Sequence, residues 1–184
     1  MESLIVGGVG IALLIWTISI YNGFVALRAS RDASWSDIDV QLTRRYNLIP
    51  NLVEVVKAYA RHEQDTLEQV IRARQQGMDA STVTDQGAAE NMLSTSLQRL
   101  FVLAESYPDL KANGNFMDLQ HQLSETEDLI QNARRYYNAV VRDYNTKVDS
   151  FPDLLIARLL HFAVADYFEM DDIIQRSAPQ VSLS

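Results

Sequence analysis

Ser3 to Leu27 is a run of 25 residues without one charged side chain, and a run of that length constrains the fold before anything else does. Leu4 to Ile20 is almost wholly apolar, with Thr17 and Ser19 its only hydroxyls. A bilayer core of ~30 Å needs roughly 20 apolar helical residues, so the run predicts a transmembrane helix. A cleaved signal peptide would want a basic front and a small-x-small site behind; here the front holds Glu2 and the back reads Ile18-Ser19-Ile20-Tyr21-Asn22, which favours a retained span. Trp16 and Tyr21 suit the interfacial belt, and Arg28 and Arg31 follow, with Arg44 and Arg45 further on. By the positive-inside rule the remainder is expected in the cytoplasm and the amino terminus outside. Gly8 and Ala12 form a small-xxx-small pair, but with Gly7 and Gly10 nearby they read as chance neighbours.

Beyond the run the periodicity becomes amphipathic. Trp35, Ile38, Leu42, Ile49, Leu52 and Val56 recur at three- and four-residue steps, one apolar stripe of a helix. Arg45 interrupts the stripe, while Asp37, Asp39, Gln41, Arg44, Asn47, Asn51 and Glu54 fall off it. The pattern predicts a first soluble helix from about Asp32 to Gln76, open to continuation into the anchor through Gly23. Pro50 sits inside it and predicts a kink, read as a bend following a curved bundle in preference to a functional hinge. Gly77 to Thr84 reads as a turn. A second helix is expected from Asp85 to about Tyr107, stopped by Pro108, then a loop to Gly114 and a cap at Asn115. The third helix carries heptads through Phe116, Leu119, Leu123, Thr126, Ile130, Ala133, Tyr137, Val140, Tyr144 and Phe151, with Lys147 where a hydrophobe is missing. Ser150-Phe151-Pro152-Asp153 breaks it. A fourth helix, Asp153 to about Met170, is apolar nearly all round and must be buried, dimerise or lie on a membrane face; a short capping helix on the bundle is the expectation.

The pattern therefore predicts an all-α protein: an N-terminal transmembrane helix followed by an elongated antiparallel helical bundle of three long helices plus a short C-terminal helix. The expected divisions are an anchor at 1–27, a bundle at 28–170 and a flexible polar tail at 171–184.

Chemistry is harder to find. The net charge is −8, and without the first 27 residues the balance is still 16 basic to 23 acidic, which argues against nucleic-acid binding. With no cysteine there is no disulfide, thiolate zinc site or Cys nucleophile. Di-iron bundles use Glu-x-x-His twice; this chain has none, and Asp118-x-x-His121 occurs once. His62, His121 and His161 read as surface or packing residues, and no Ser-His-Asp set, phosphate loop or nucleophile elbow is visible. No catalytic, cofactor-binding or metal residue is assigned, and the expectation is a noncatalytic protein.

The candidate interaction and structural residues are accordingly polar interruptions and aromatic rims. Arg45, if buried, needs a carboxylate, with Glu127 or Glu105 as expected donors; it is either a polar lock on helix register or a snorkelling arginine. Asp37 and Asp39 point about 200° apart on a helix, so they form no acid/base pair and read as a solvated face. Asn132 to Asn138 places Arg134 and Arg135 around core Tyr137, read as packing first and a partner surface second.

Several ordered blocks carry a resemblance. Tyr21-Asn22-x-x-Val25-x-Leu27-Arg28, Ala33-x-Trp35-Ser36-Asp37-Ile38-Asp39-Val40-Gln41-Leu42, Arg44-Arg45-Tyr46-x-Leu48-Ile49-Pro50-Asn51-Leu52-Val53 and His62-Glu63 resemble the LemA family of bacterial membrane-anchored helical proteins. Ala104-Glu105-x-Tyr107-Pro108-Asp109-Leu110-Lys111-Ala112-Asn113, Leu123-Ser124-x-Thr126-Glu127 and Ala133-Arg134-Arg135-Tyr136-Tyr137-Asn138 agree with it. The resemblance implies the helical fold and the anchor, and, because some relatives organise bacterial membrane compartments, membrane organisation or envelope maintenance as the process; the expectation is a noncatalytic scaffold or adaptor tethered in the bacterial cytoplasmic membrane. Expected partners are the lipid bilayer through residues 4–21, other proteins, and further copies of the chain. The rival expectations are a signalling relay with Pro50 as hinge, or an enzyme or transport component whose site forms only in an oligomer.

Overall fold

The computed structural model describes residues 1–170, without the side chains of Glu2 and Leu4; the expected tail, 171–184, lies outside the described residues. The fold is all-α. The described residues form α1 (Glu2–Tyr59), α2 (Gln64–Asp79), α3 (Val83–Ala104), α4 (Pro108–Lys111), α5 (Gly114–Asp149) and α6 (Asp153–Leu159). These elements divide into two compact units, one formed by Met1–Arg44 with Glu125–Tyr167, the other by Arg45–Ser124 with Phe168, Glu169 and Met170. Both α1 and α5 contribute to each.

In the first unit α1 changes character along its length. Val6, Leu14 and Ile15 are exposed, Ile15 at 62%, whereas Phe24 is 0% exposed. From Ile20 onward the helix is packed: Ile20 and Phe24 form a core with Tyr144, Val148 and Ala157, flanked by Leu27, Ile156, Phe162 and Ala165. Residues 20–27, expected within the anchor, thus also serve this core. The Phe24 ring stacks on Phe162 at 4.7 Å and meets Tyr144 edge-on at 6.5 Å.

The end of α5 corrects one expectation. Val148 is buried and Phe151 is 79% exposed, the reverse of the heptad reading. An α-helix repeats at 3.6 residues, not 3.5, so buried positions drift forward from Tyr137 through Val141 and Tyr144 to Val148. Lys147 then lies beside the core, its ammonium 5.2 Å from the Phe24 ring centroid and 3.5 Å from the Asp153 carboxylate.

The fourth helix is also shorter than expected, for a local reason. Leu160 caps α6, and His161 takes the left-handed conformation at φ 58°. The Phe162 amide then donates to Ala157 O at 2.9 Å and the His161 amide to Arg158 O at 3.4 Å, the two bonds of a Schellman stop. Glycine is the usual residue there, so the histidine hides the signal. Past the stop the chain is held by side chains that mimic a strand partner. Asn145 accepts from the Ala165 amide at 2.8 Å and donates to Ala165 O at 2.9 Å, and the Tyr137 hydroxyl donates to Asp166 O at 3.1 Å.

In the second unit the expected helix from Asp32 to Gln76 is broken at Ala60–Glu63. Residues 61–66 place no buried side chain, so nothing repays a continuous helix there. An unbroken helix would put Arg74 about 42 Å from Tyr46; instead the Arg74 Nε donates to Tyr46 O at 2.8 Å, so α2 doubles back along α1. Ala80–Thr82 then turns α2 into α3. The Thr82 hydroxyl accepts from the Asp85 amide at 3.0 Å and caps α3. Gly77, expected in this turn, is buried inside α2 instead. Pro108 opens the one-turn α4 where a loop was expected, and Asn113, not Asn115, caps α5 by accepting from the Phe116 amide at 3.1 Å. Phe168 is fully buried in this unit, and the Glu169 carbonyl lies where a Cβ on Gly87 would stand.

Candidate functional site, a buried polar cluster

The clearest chemical feature lies in the second unit, where α1 brings Arg45 and Tyr46, α2 brings Arg74 and Gly77, and α3 brings Gln86, Glu90 and Ser94. Arg45 stands on the apolar stripe of α1 and is 3% exposed. Its partner is Glu90, at 0% exposure, with Arg45 Nη1 donating to Glu90 Oε2 at 3.0 Å. Glu90 was not among the carboxylates expected for Arg45; of those, Glu105 is exposed past the end of α3. The Arg45 Nη2 also donates to Ser94 Oγ at 2.8 Å.

Tyr46 completes the set. Its hydroxyl donates to Glu90 Oε1 and accepts from Gln86 Nε2 at 2.7 Å, while the Gln86 amide also reaches Glu90 Oε1 at 3.2 Å. Gly77 gives the tyrosine room, since a Cβ there would stand 2.5 Å from the Tyr46 hydroxyl and 3.0 Å from Glu90 Oε1. Pro50 enters indirectly. It has no amide proton to offer the Tyr46 carbonyl four residues back, and Arg74 supplies the missing donor.

The electrostatics follow from burial. A dry carboxylate needs a fixed cation and hydrogen-bond donors, and Arg45, Tyr46 and Gln86 supply them. Burial, and then the Glu90 charge, push the Tyr46 phenol well above the usual tyrosine range. A tyrosine held neutral in the folded state lends stability that is fully present below its unfolded pKa of ~10 and is lost as pH rises beyond it. Burial likewise raises Tyr137, and a bond to Glu63 raises Tyr107. Tyr46→Phe should therefore make the fall in stability above pH ~10 shallower by up to one proton's slope, about 1.4 kcal/mol per pH unit. Urea midpoints measured at intervals from pH 8 to 11.5 would reveal it; an unchanged slope would mean that Tyr46 ionises as freely folded as unfolded.

The Glu90 carboxylate is closed to solvent, and through it the cluster joins α1 to α3. The remaining singled-out residues do not join it. Trp35 packs edge-on to buried Tyr137 at 5.3 Å in the first unit. Asp37, Asp39, Arg44, Pro50 and Asn51 are exposed along α1, Arg135 is exposed on α5, and Arg134 is half-buried. Glu90, Gln86 and Ser94 escaped sequence reasoning. The one available signal was Glu90 lying three residues before Leu93, on the buried face of α3.

Fold and site together define a class: an all-α protein whose N-terminal helix is long and apolar enough over part of its length to cross a membrane, carrying helices joined by a buried ion pair. The chain belongs to the LemA family, whose model matches residues 34–183. It is 26% identical over 175 residues to magnetosome protein MamQ 2 of Paramagnetospirillum magneticum, covering 81% of this chain and 64% of that one. It is 25% identical over 174 residues to magnetosome protein MamQ of Magnetospirillum gryphiswaldense, 80% of this chain and 64% of that one. Protein LemA of Metamycoplasma hominis is 23% identical over 134 residues, 71% of this chain and 60% of that one. The chain thus spans less than two thirds of the length of these relatives, and none of their names states a reaction.

Proposed function

We propose that the protein is a membrane-anchored, noncatalytic scaffold or adaptor that acts in envelope or membrane organisation, through protein contacts or self-assembly. One observation carries the reading: the exposed apolar run of α1 continues without a break into a packed core at Ile20 and Phe24. A helix built this way couples a bilayer span rigidly to a folded unit, as a scaffold requires and a flexible tether does not provide. The relatives named as magnetosome proteins support an organising role. The membrane is the bacterial cytoplasmic membrane, crossed once, with the folded part on the cytoplasmic side next to Arg28 and Arg31.

Chemical cross-linking in native membranes, followed by gentle-detergent purification and mass spectrometry, tests the function. One abundant partner makes it an adaptor, and multimers of the chain alone make it a self-assembling scaffold; a monomer without cross-links sinks both. Orientation has its own test, since the chain lacks cysteine. A membrane-impermeant maleimide on intact cells should label Ser3→Cys and spare Ser184→Cys, and labelling of the Ser184 site alone would reverse the topology.

A further inference from the structure

The first unit exposes a second apolar surface, separate from the lipid-length run of α1. Phe151 is 79% exposed and Leu159 70%, with Leu155, Leu160 and Val164 also exposed around them. Large side chains so grouped, at the corner of α5 and α6 and along the segment after it, need an occupant.

Their inner neighbours give its position. Ile156, Ala157 and Phe162 pack on Ile20, Phe24 and Leu27 of α1. Phe162 lies 6.2 Å from the Tyr21 ring and 4.7 Å from that of Phe24. Counting from Glu2, 20 helical residues reach Tyr21 after about 30 Å, the thickness of a bilayer core. The exposed side chains therefore sit at the level on α1 where a span ends, on the same unit as its lipid-facing residues. Arg158, exposed between Leu155 and Leu159, has a stem long enough to reach headgroups while its neighbours enter the acyl boundary.

We propose that α6 and the segment following it are an interfacial foot, resting Leu155, Leu159 and their neighbours in the headgroup-to-acyl boundary of the bilayer that α1 crosses. The inference rests on the anchored reading above. A foot of this kind fixes the tilt and rotation of the span and of the unit attached to it, which a single helix leaves free.

The test uses the full chain in vesicles of phosphatidylethanolamine and phosphatidylglycerol. Spin labels are placed at single cysteines, Leu155→Cys and Leu159→Cys, with Ile15→Cys as the lipid reference and Val102→Cys, exposed on α3, as the aqueous one. All four sites are exposed, so the labels leave the packing intact. Collision with oxygen relative to a water-soluble nickel chelate should be several-fold higher at 155 and 159 than at 102, approaching the value at 15. If 15 is lipid-like while 155 and 159 match 102, the foot is refuted and the anchor stands. If 15 is aqueous too, both readings fall. Spin–spin broadening at 155 or 159 that disappears on dilution with unlabelled protein would give the surface to a second copy and overturn the proposal.

Discussion

Glu90→Ala is expected to destabilise the protein by about 3–5 kcal/mol, because it removes a carboxylate that meets the Arg45 guanidinium in a site closed to water. For a chain of this size that is a fall in melting temperature of roughly 10 °C or more. The loss has two sources. Arg45, 3% exposed, keeps its charge without the carboxylate opposite it, and the Tyr46 hydroxyl and Gln86 amide lose their shared acceptor. Arg45→Leu should cost a comparable amount by removing the guanidinium that meets the buried Glu90 carboxylate. The double variant Arg45→Leu with Glu90→Leu should recover much of the loss, since removing both charges also removes their desolvation penalty. Thermal unfolding of the four proteins forms a double-mutant cycle. Single variants within about 0.5 kcal/mol of the parent would mean that Arg45 merely snorkels and the cluster locks nothing.

Phe24→Ala should cost a similar amount, about 3–5 kcal/mol, from the opposite kind of interaction. The ring is fully buried, stacked on Phe162 and edge-on to Tyr144, with the Lys147 ammonium over it. Truncation leaves a cavity at the point where α1, α5 and the segment after α6 meet, and none of them is free to collapse into it. Val25, the next residue on the same helix, is the control: it is exposed, and Val25→Ala should shift stability by less than about 1 kcal/mol. Urea unfolding in detergent or nanodiscs compares the two. Equal small effects would show that α1 beyond Ser19 is not packed into a core, and with that the rigid coupling of span to folded unit would go.

Both predictions concern residues that periodicity alone read unequally. Arg45 stood out as a charge on an apolar stripe, so its need for a carboxylate was legible. Which carboxylate was not. Glu90 stands on a helix that no local rule sets against α1, and the pair formed when α2 doubled back at Ala60–Glu63 and brought α3 beside α1. Pro50 shows the same division. That it deprives the Tyr46 carbonyl of a donor follows from covalent structure, but that Arg74 replaces the donor depends on where α2 lies.

What the chain's own order of residues determined is therefore everything that repeats within a few residues: the all-α class, the uncharged run of membrane length, and most of the buried face of α5. Tertiary structure decided the rest. It tied the segment past α6 to Asn145 through Ala165 and to Tyr137 through Asp166, turned α2 back along α1, and brought Glu90 to Arg45. The reason is range: hydrophobic periodicity acts across one helical turn, whereas an ion pair 45 residues apart in sequence exists only after the chain has folded back on itself.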